Sequence, residues 1–174
     1  MANAPIQRPR LHQTLNGWAT QTSSLPDGGN TFTAGQFLKV VSGTLAAYVA
    51  DDVVLAGLCQ DPSHTATDEP YTAPFGENHN LISLTGQRFV MNLTDASGTV
   101  GSGTTTQANA TLGVLYSARY LASVDTGCLG VDLADSGTAT KHIFKVVALW
   151  PQDAVGDFNG RVIVEILPTA IQLA

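Results

Sequence analysis

Apolar runs in this chain are short, and Gly, Pro or Asp stops each of them within a few residues. Such punctuation leaves no room for the sustained three-to-four-residue period of a packed helix. It suits strands of about 4–8 residues. The runs are Phe37 to Val41, Leu45 to Ala50, Val53 to Cys59, Arg88 to Thr94, Leu129 to Leu133, Ile143 to Trp150 and Arg161 to Leu167. Ser42-Gly43 between the first two is a two-residue hairpin turn. Arg88 to Thr94 alternates, with Phe89, Met91 and Leu93 on one face and Arg88, Asn92 and Thr94 on the other, and predicts a half-buried strand. Phe144, Val146, Ala148 and Trp150 are expected to share a face. Arg161 to Leu167 is apolar nearly throughout except at Glu165, as a central strand covered on both sides would be. Leu112 to Val124 fits either period; Gly113, the preceding Thr run and the lack of Glu or Lys favour strand. The expected fold is an all-β sandwich or barrel.

Composition narrows the class further. The 174 residues fit one domain, with or without a tail. Glycine is plentiful at 17, which disfavours helix. Charged residues make up only 13%, about half the usual ~25%. A net charge of −6, with only eight Lys and Arg, argues against a nucleic-acid partner. No apolar run approaches the ~18 residues of a membrane span, and no signal peptide is visible. Cys59 and Cys128 make no disulfide framework and are read as reduced. A polar surface of Thr, Ser, Asn and Gln is easier to desolvate than one of Lys and Glu, as suits a chain that hides its outside against neighbours.

Two regions are distinguished: an extended N-terminal arm, 1–34, and a β domain, 35–174. The arm holds Pro5, Pro9 and Pro26, the turn cluster Asp27-Gly28-Gly29-Asn30, and apolar residues with no sustained period. Its Arg8, Arg10, Leu11, Leu15 and Trp18 are the candidate contacts to a partner. An arm of this kind cannot bury its apolar groups on itself and is expected to be mobile until it docks.

Few motifs point to chemistry. Asp125-Thr126-Gly127 and Asp135-Ser136-Gly137 each spell the loop of an aspartic protease, in which two carboxylates share a proton. They bracket the run Leu129 to Leu133, which sets them at opposite strand ends, and Asp-x-Gly is ordinary turn chemistry. Only a homodimer, using Asp125 from each copy, could bring two such loops together. Asp61, His64, Asp68, Glu69, Glu77 and His79 crowd a loop over 60–80 without metal-ligand spacing. His12 and His142 are expected to be surface or interface groups. Cys128 has no basic neighbour in sequence to activate it. No catalytic residue, cofactor or metal is assigned.

The stretch Thr33-Ala34-Gly35-Gln36-Phe37-Leu38-Lys39-Val40-Val41-Ser42-Gly43-Thr44-Leu45, followed by Val53-Val54-Leu55-Ala56-Gly57-Leu58, resembles the opening of capsid decoration (cement) proteins of tailed bacteriophages. In both, an aliphatic strand, a Ser/Asp-Gly turn and a strand ending in Ala-Gly-aliphatic follow one another. Leu112-Gly113-Val114-Leu115-Tyr116 and Gly160 to Leu167 are similar in character, so the resemblance covers about half the chain. It implies a non-enzymatic protein on the outer capsid surface of a virion, made in the host cytoplasm during assembly. It also implies a major capsid protein as partner and a homo-oligomer, a trimer ahead of a dimer. The alternatives from the residues are a carbohydrate- or receptor-binding β module and, behind it, the homodimeric aspartic protease.

Overall fold

Ser42 and Gly43 take positive φ angles of 51° and 83° in a computed structural model of the chain. Two successive left-handed residues make a turn whose twist matches that of the strands it joins. The structure describes residues 4, 7–14, 20–22, 25–50, 52–60, 80–99, 101–121, 129–137 and 141–173. Among them lie β1 (Arg10–Thr14), β2 (Thr20–Thr22), β3 (Phe37–Val41), β4 (Thr44–Ala47), β5 (Gly57–Cys59) and β6 (Asn80–Ile82). Then follow β7 (Gln87–Thr94), β8 (Leu115–Tyr120), β9 (Leu129–Ser136), β10 (Phe144–Leu149) and β11 (Arg161–Ile166). Helix is limited, among the described residues, to single turns at Gln107–Asn109 and Pro168–Ala170. The protein is all-β, as expected. No described helix is long and apolar enough to cross a membrane.

One sheet runs β1-β7-β11-β10-β8-β9, and β9 returns to pair in parallel with β7. The strands β7, β11, β10, β8 and β9 therefore close into a five-stranded barrel. A second sheet runs β2-β6-β5-β3-β4. Its Phe37 lies against Phe89 and Phe144 of the barrel, with ring centroids 5.4 and 5.8 Å apart, and Tyr48 meets Phe144 edge-on. One core thus spans barrel and sheet. The sheet's other face buries Phe32, Leu38, Leu45, Ala56, Cys59 and Leu81.

Both termini are tied to this body. The C-terminal segment runs beside Leu55, and the Gln172 amide caps the backbone N–H and C=O of Val40 beyond the end of β5. At the other end, β1 and β2, both within the expected arm, lie on β7 and β6. The arm's described part therefore extends the body's own sheets. The open edges of β7 and β6 offer it backbone partners that the sequence does not reveal.

Two expectations about faces are corrected. β7 is not half-buried: its Asn92 and Thr94 have no exposed surface. In that polar row Asn92 is covered by the loop around Asn159, to whose carbonyl it donates, and by the N-terminal segment at Gln7. The four residues Phe144 to Trp150 do not share a face either. A bulge between Val146 and Ala148 shifts the register against β11. Phe144 and Val146 point into the barrel, while Ala148 and Trp150 pack outside it with Val90 and Ile163.

Candidate interaction surface

The barrel's outer wall is built by register. Arg10 of β1 stands opposite Val90, which stands opposite Ile163, which stands opposite Ala148. The next row is Arg88, Glu165 and Lys145. Side chains of directly opposed residues emerge on the same face, so both rows share the outer surface. Trp150, further along opposite Arg161, folds over the first row against Val90 and Ile163. It is nine-tenths buried, at 9% exposure, and its indole N–H has no hydrogen-bond partner.

Three cationic or imidazole groups surround that ring. The Arg10 guanidinium lies 5.2 Å from the ring centroid and that of Arg161 lies 5.6 Å from it. The His12 ring meets it edge-on at 5.2 Å. Arg161 is committed below to Asp153, through both its backbone N–H and its guanidinium. Those bonds hold the Arg161 side chain charged more firmly than usual, against the cost of burial. Arg88 pairs with Glu165 across 2.8 Å. Arg10 and Lys145 form no ion pair among the described residues.

Polar groups with no exposure lock the loops over this wall. Asn92 donates to the carbonyl of Asn159 at 2.7 Å and accepts from the backbone of Gln7. Asn159 holds φ at 53°, donates to Leu93 and accepts from Gly101. Gln107 donates to the carbonyls of Trp150 and Arg161. The Ala4 N–H donates to the carbonyl of Phe158. No sequence motif marks this network, since its members come from five separate segments.

The arm candidates separate. Arg10 is exposed on the wall. Arg8 turns inward, donating to the Ala34 carbonyl and packing over Gly35, and Leu11 packs against the main core. Leu15 and Trp18 lie outside the described residues.

Asp135 is corrected from a turn residue to a strand residue near the end of β9. It accepts from Ser117 at 3.0 Å, faces His142 Nε2 at 2.7 Å and pairs with Lys141 at 2.5 Å. Burial pushes its carboxyl up, but the bonds from Lys141, His142 and Ser117 outweigh that and hold it far below the usual carboxylate range. A carboxylate so committed is held in its charged form. His142 is buried rather than on the surface, and Ser117 bonds to Asp135 instead of the imidazole, so no activated hydroxyl results. Asp125, Cys128 and the polar residues between Asp61 and His79 lie outside the described residues. Among the described residues no group of three metal-ligating side chains converges.

No protein-family model matches the chain, and no curated protein matches it significantly.

Proposed function

We propose that the protein is a structural, non-enzymatic component of a phage virion that binds the outside of the capsid lattice and braces it. The observation that carries this reading is the stretch Thr33 to Leu58, whose resemblance to the opening of decoration proteins coincides with the β3–β4 hairpin and β5. The chain's low charge supports it too, since a surface poor in Lys and Glu is cheaply desolvated at several joints. The partner in this reading is the major capsid protein, and the assembled form a trimer.

The test is co-sedimentation with expanded capsid shells of the phage whose genome carries the gene. Retention at micromolar protein, with higher heat resistance of the shells, is the expected result. A protein left in the supernatant at every ratio overturns the reading. Sugar recognition draws no support from Trp150, because Arg10, His12 and Arg161 already surround the ring that a sugar would stack on.

A further inference from the structure

Four basic residues, Arg10, Arg88, Lys145 and Arg161, stand on the outer wall of β1, β7, β11 and β10, half of the chain's eight Lys and Arg. Among the described residues, Glu165 on the wall pairs with Arg88, and Asp153, in the loop beyond Trp150, pairs with Arg161. Among the described residues the wall therefore carries more positive than negative charge, in a chain of net charge −6. Such an asymmetry steers an oppositely charged partner to one face.

The two cations without an ion pair among the described residues, Arg10 and Lys145, have different settings. Arg10 is held by strand pairing and by its stack on Trp150, so little rotamer freedom remains to be lost on binding. Lys145 is exposed, in the neighbouring row and three strands away. Lys145 lies three strands round the barrel from Arg10, at ~4.8 Å per strand, so a segment touching both must follow the curve of the wall. A planar guanidinium on an aromatic ring matches a carboxylate bidentately. His12, exposed beside it, adds a further donor.

We infer that this wall is a docking face for a carboxylate-rich segment of a partner protein, with Arg10 on Trp150 as its anchor and Lys145 as the second contact. The inference rests on the capsid-binding reading for the partner's identity, and its chemistry can be measured without shells. A second copy of this chain offering its own carboxylates is the other occupant, and the experiment below separates it.

The experiment compares the full chain with the double variant Arg10→Glu/Lys145→Glu. Both side chains are exposed, so folding is expected to survive, with unchanged melting as the check. Calorimetric titration with deca-glutamate at low salt is expected to show binding that weakens at least tenfold in the double variant and falls with salt. Deca-lysine is expected not to bind. Equal affinity of both proteins for deca-glutamate, or no binding by the wild type, overturns the inference. Should the double variant misfold, the milder Arg10→Gln carries the test, with a threefold or greater loss expected. Ultracentrifugation separates the other occupant: an oligomer that falls apart in the double variant, with no peptide binding in the wild type, assigns the wall to a second copy and overturns the inference. Shell sedimentation tells the two readings apart. Wild-type retention that the double variant keeps in full overturns this inference and leaves capsid binding standing. Peptide binding without shell retention does the reverse.

Discussion

Asp135 links stability to pH. Its carboxyl titrates far below the usual range when folded, because Lys141, His142 and Ser117 all bond to the charged form. The unfolded chain binds a proton near pH 4, so the unfolded state takes up more protons in acid. The stabilisation is complete above about pH 5 and is lost as the pH falls below 4. Asp135→Asn should cost about 2 kcal/mol at pH 7, and the gap from wild type should be visibly smaller at about pH 3 and keep narrowing toward about pH 2. Urea midpoints measured at both pH values check this; a gap that stays constant with pH refutes it. Ser42 offers the opposite sign. An exposed serine at φ 51° pays for a left-handed backbone that asparagine tolerates better. Ser42→Asn should raise stability by about 0.5–1 kcal/mol, read from the same denaturation curves. The turn at Ser42-Gly43 was legible because its chemistry is local. Asp135 was not: the same Asp-Ser-Gly letters serve a turn or a strand end, and its partners Ser117 and His142 arrive from β8 and the approach to β10.

At the scale of elements, apolar periodicity locates β3, β7 and β11 but does not say what covers them. The outward row of β7 is polar, as on a solvated strand, yet Asn92 is buried and tied to Asn159 and Gln7, and Thr94 is buried beside Gly130 of β9. Alternation reports which face is apolar and is silent on a polar face satisfied by hydrogen bonds. The bulge in β10 is equally invisible, since one extra residue moves Ala148 and Trp150 to the other face without changing composition. That displacement creates the Trp150 surface, so the candidate site was legible only as the exposed Arg10 of the arm. Asn159 tests the seal. It combines a left-handed backbone with side-chain bonds to Leu93 and Gly101. Asn159→Ala should destabilise by about 2–4 kcal/mol, through strain and two buried groups left unpaired. Asn159→Gly, which relieves only the strain, should cost measurably less. Equal losses for the two variants would show that backbone strain plays no part.

For the molecule as a whole, the question is what closes the barrel. β9 reaches β7 only from Asn92 to Thr94. The rest of that edge, Gln87 to Val90, is paired with β1. The strand that the sequence places in an arm is therefore a stave of the seam, and its Leu11 helps fill the core that barrel and second sheet share. Removing residues 2–14 would strip the ladder from β7, uncover Val90 and Trp150, and leave the Asn92 side-chain oxygen without the Gln7 N–H. An unpaired apolar edge of this kind is also a template for aggregation. The loss should amount to about 3–5 kcal/mol, which for a domain of this size lowers the melting temperature by about 10 °C. Binding of a hydrophobic dye should rise with it. Capsid attachment by the truncated chain can then be interpreted only at temperatures where it remains folded. Arg10→Glu separates contact from scaffold, because it leaves the β1 backbone pairing in place. A truncated protein that melts with the wild type would show instead that the barrel closes through β9 alone and that β1 is an appendage.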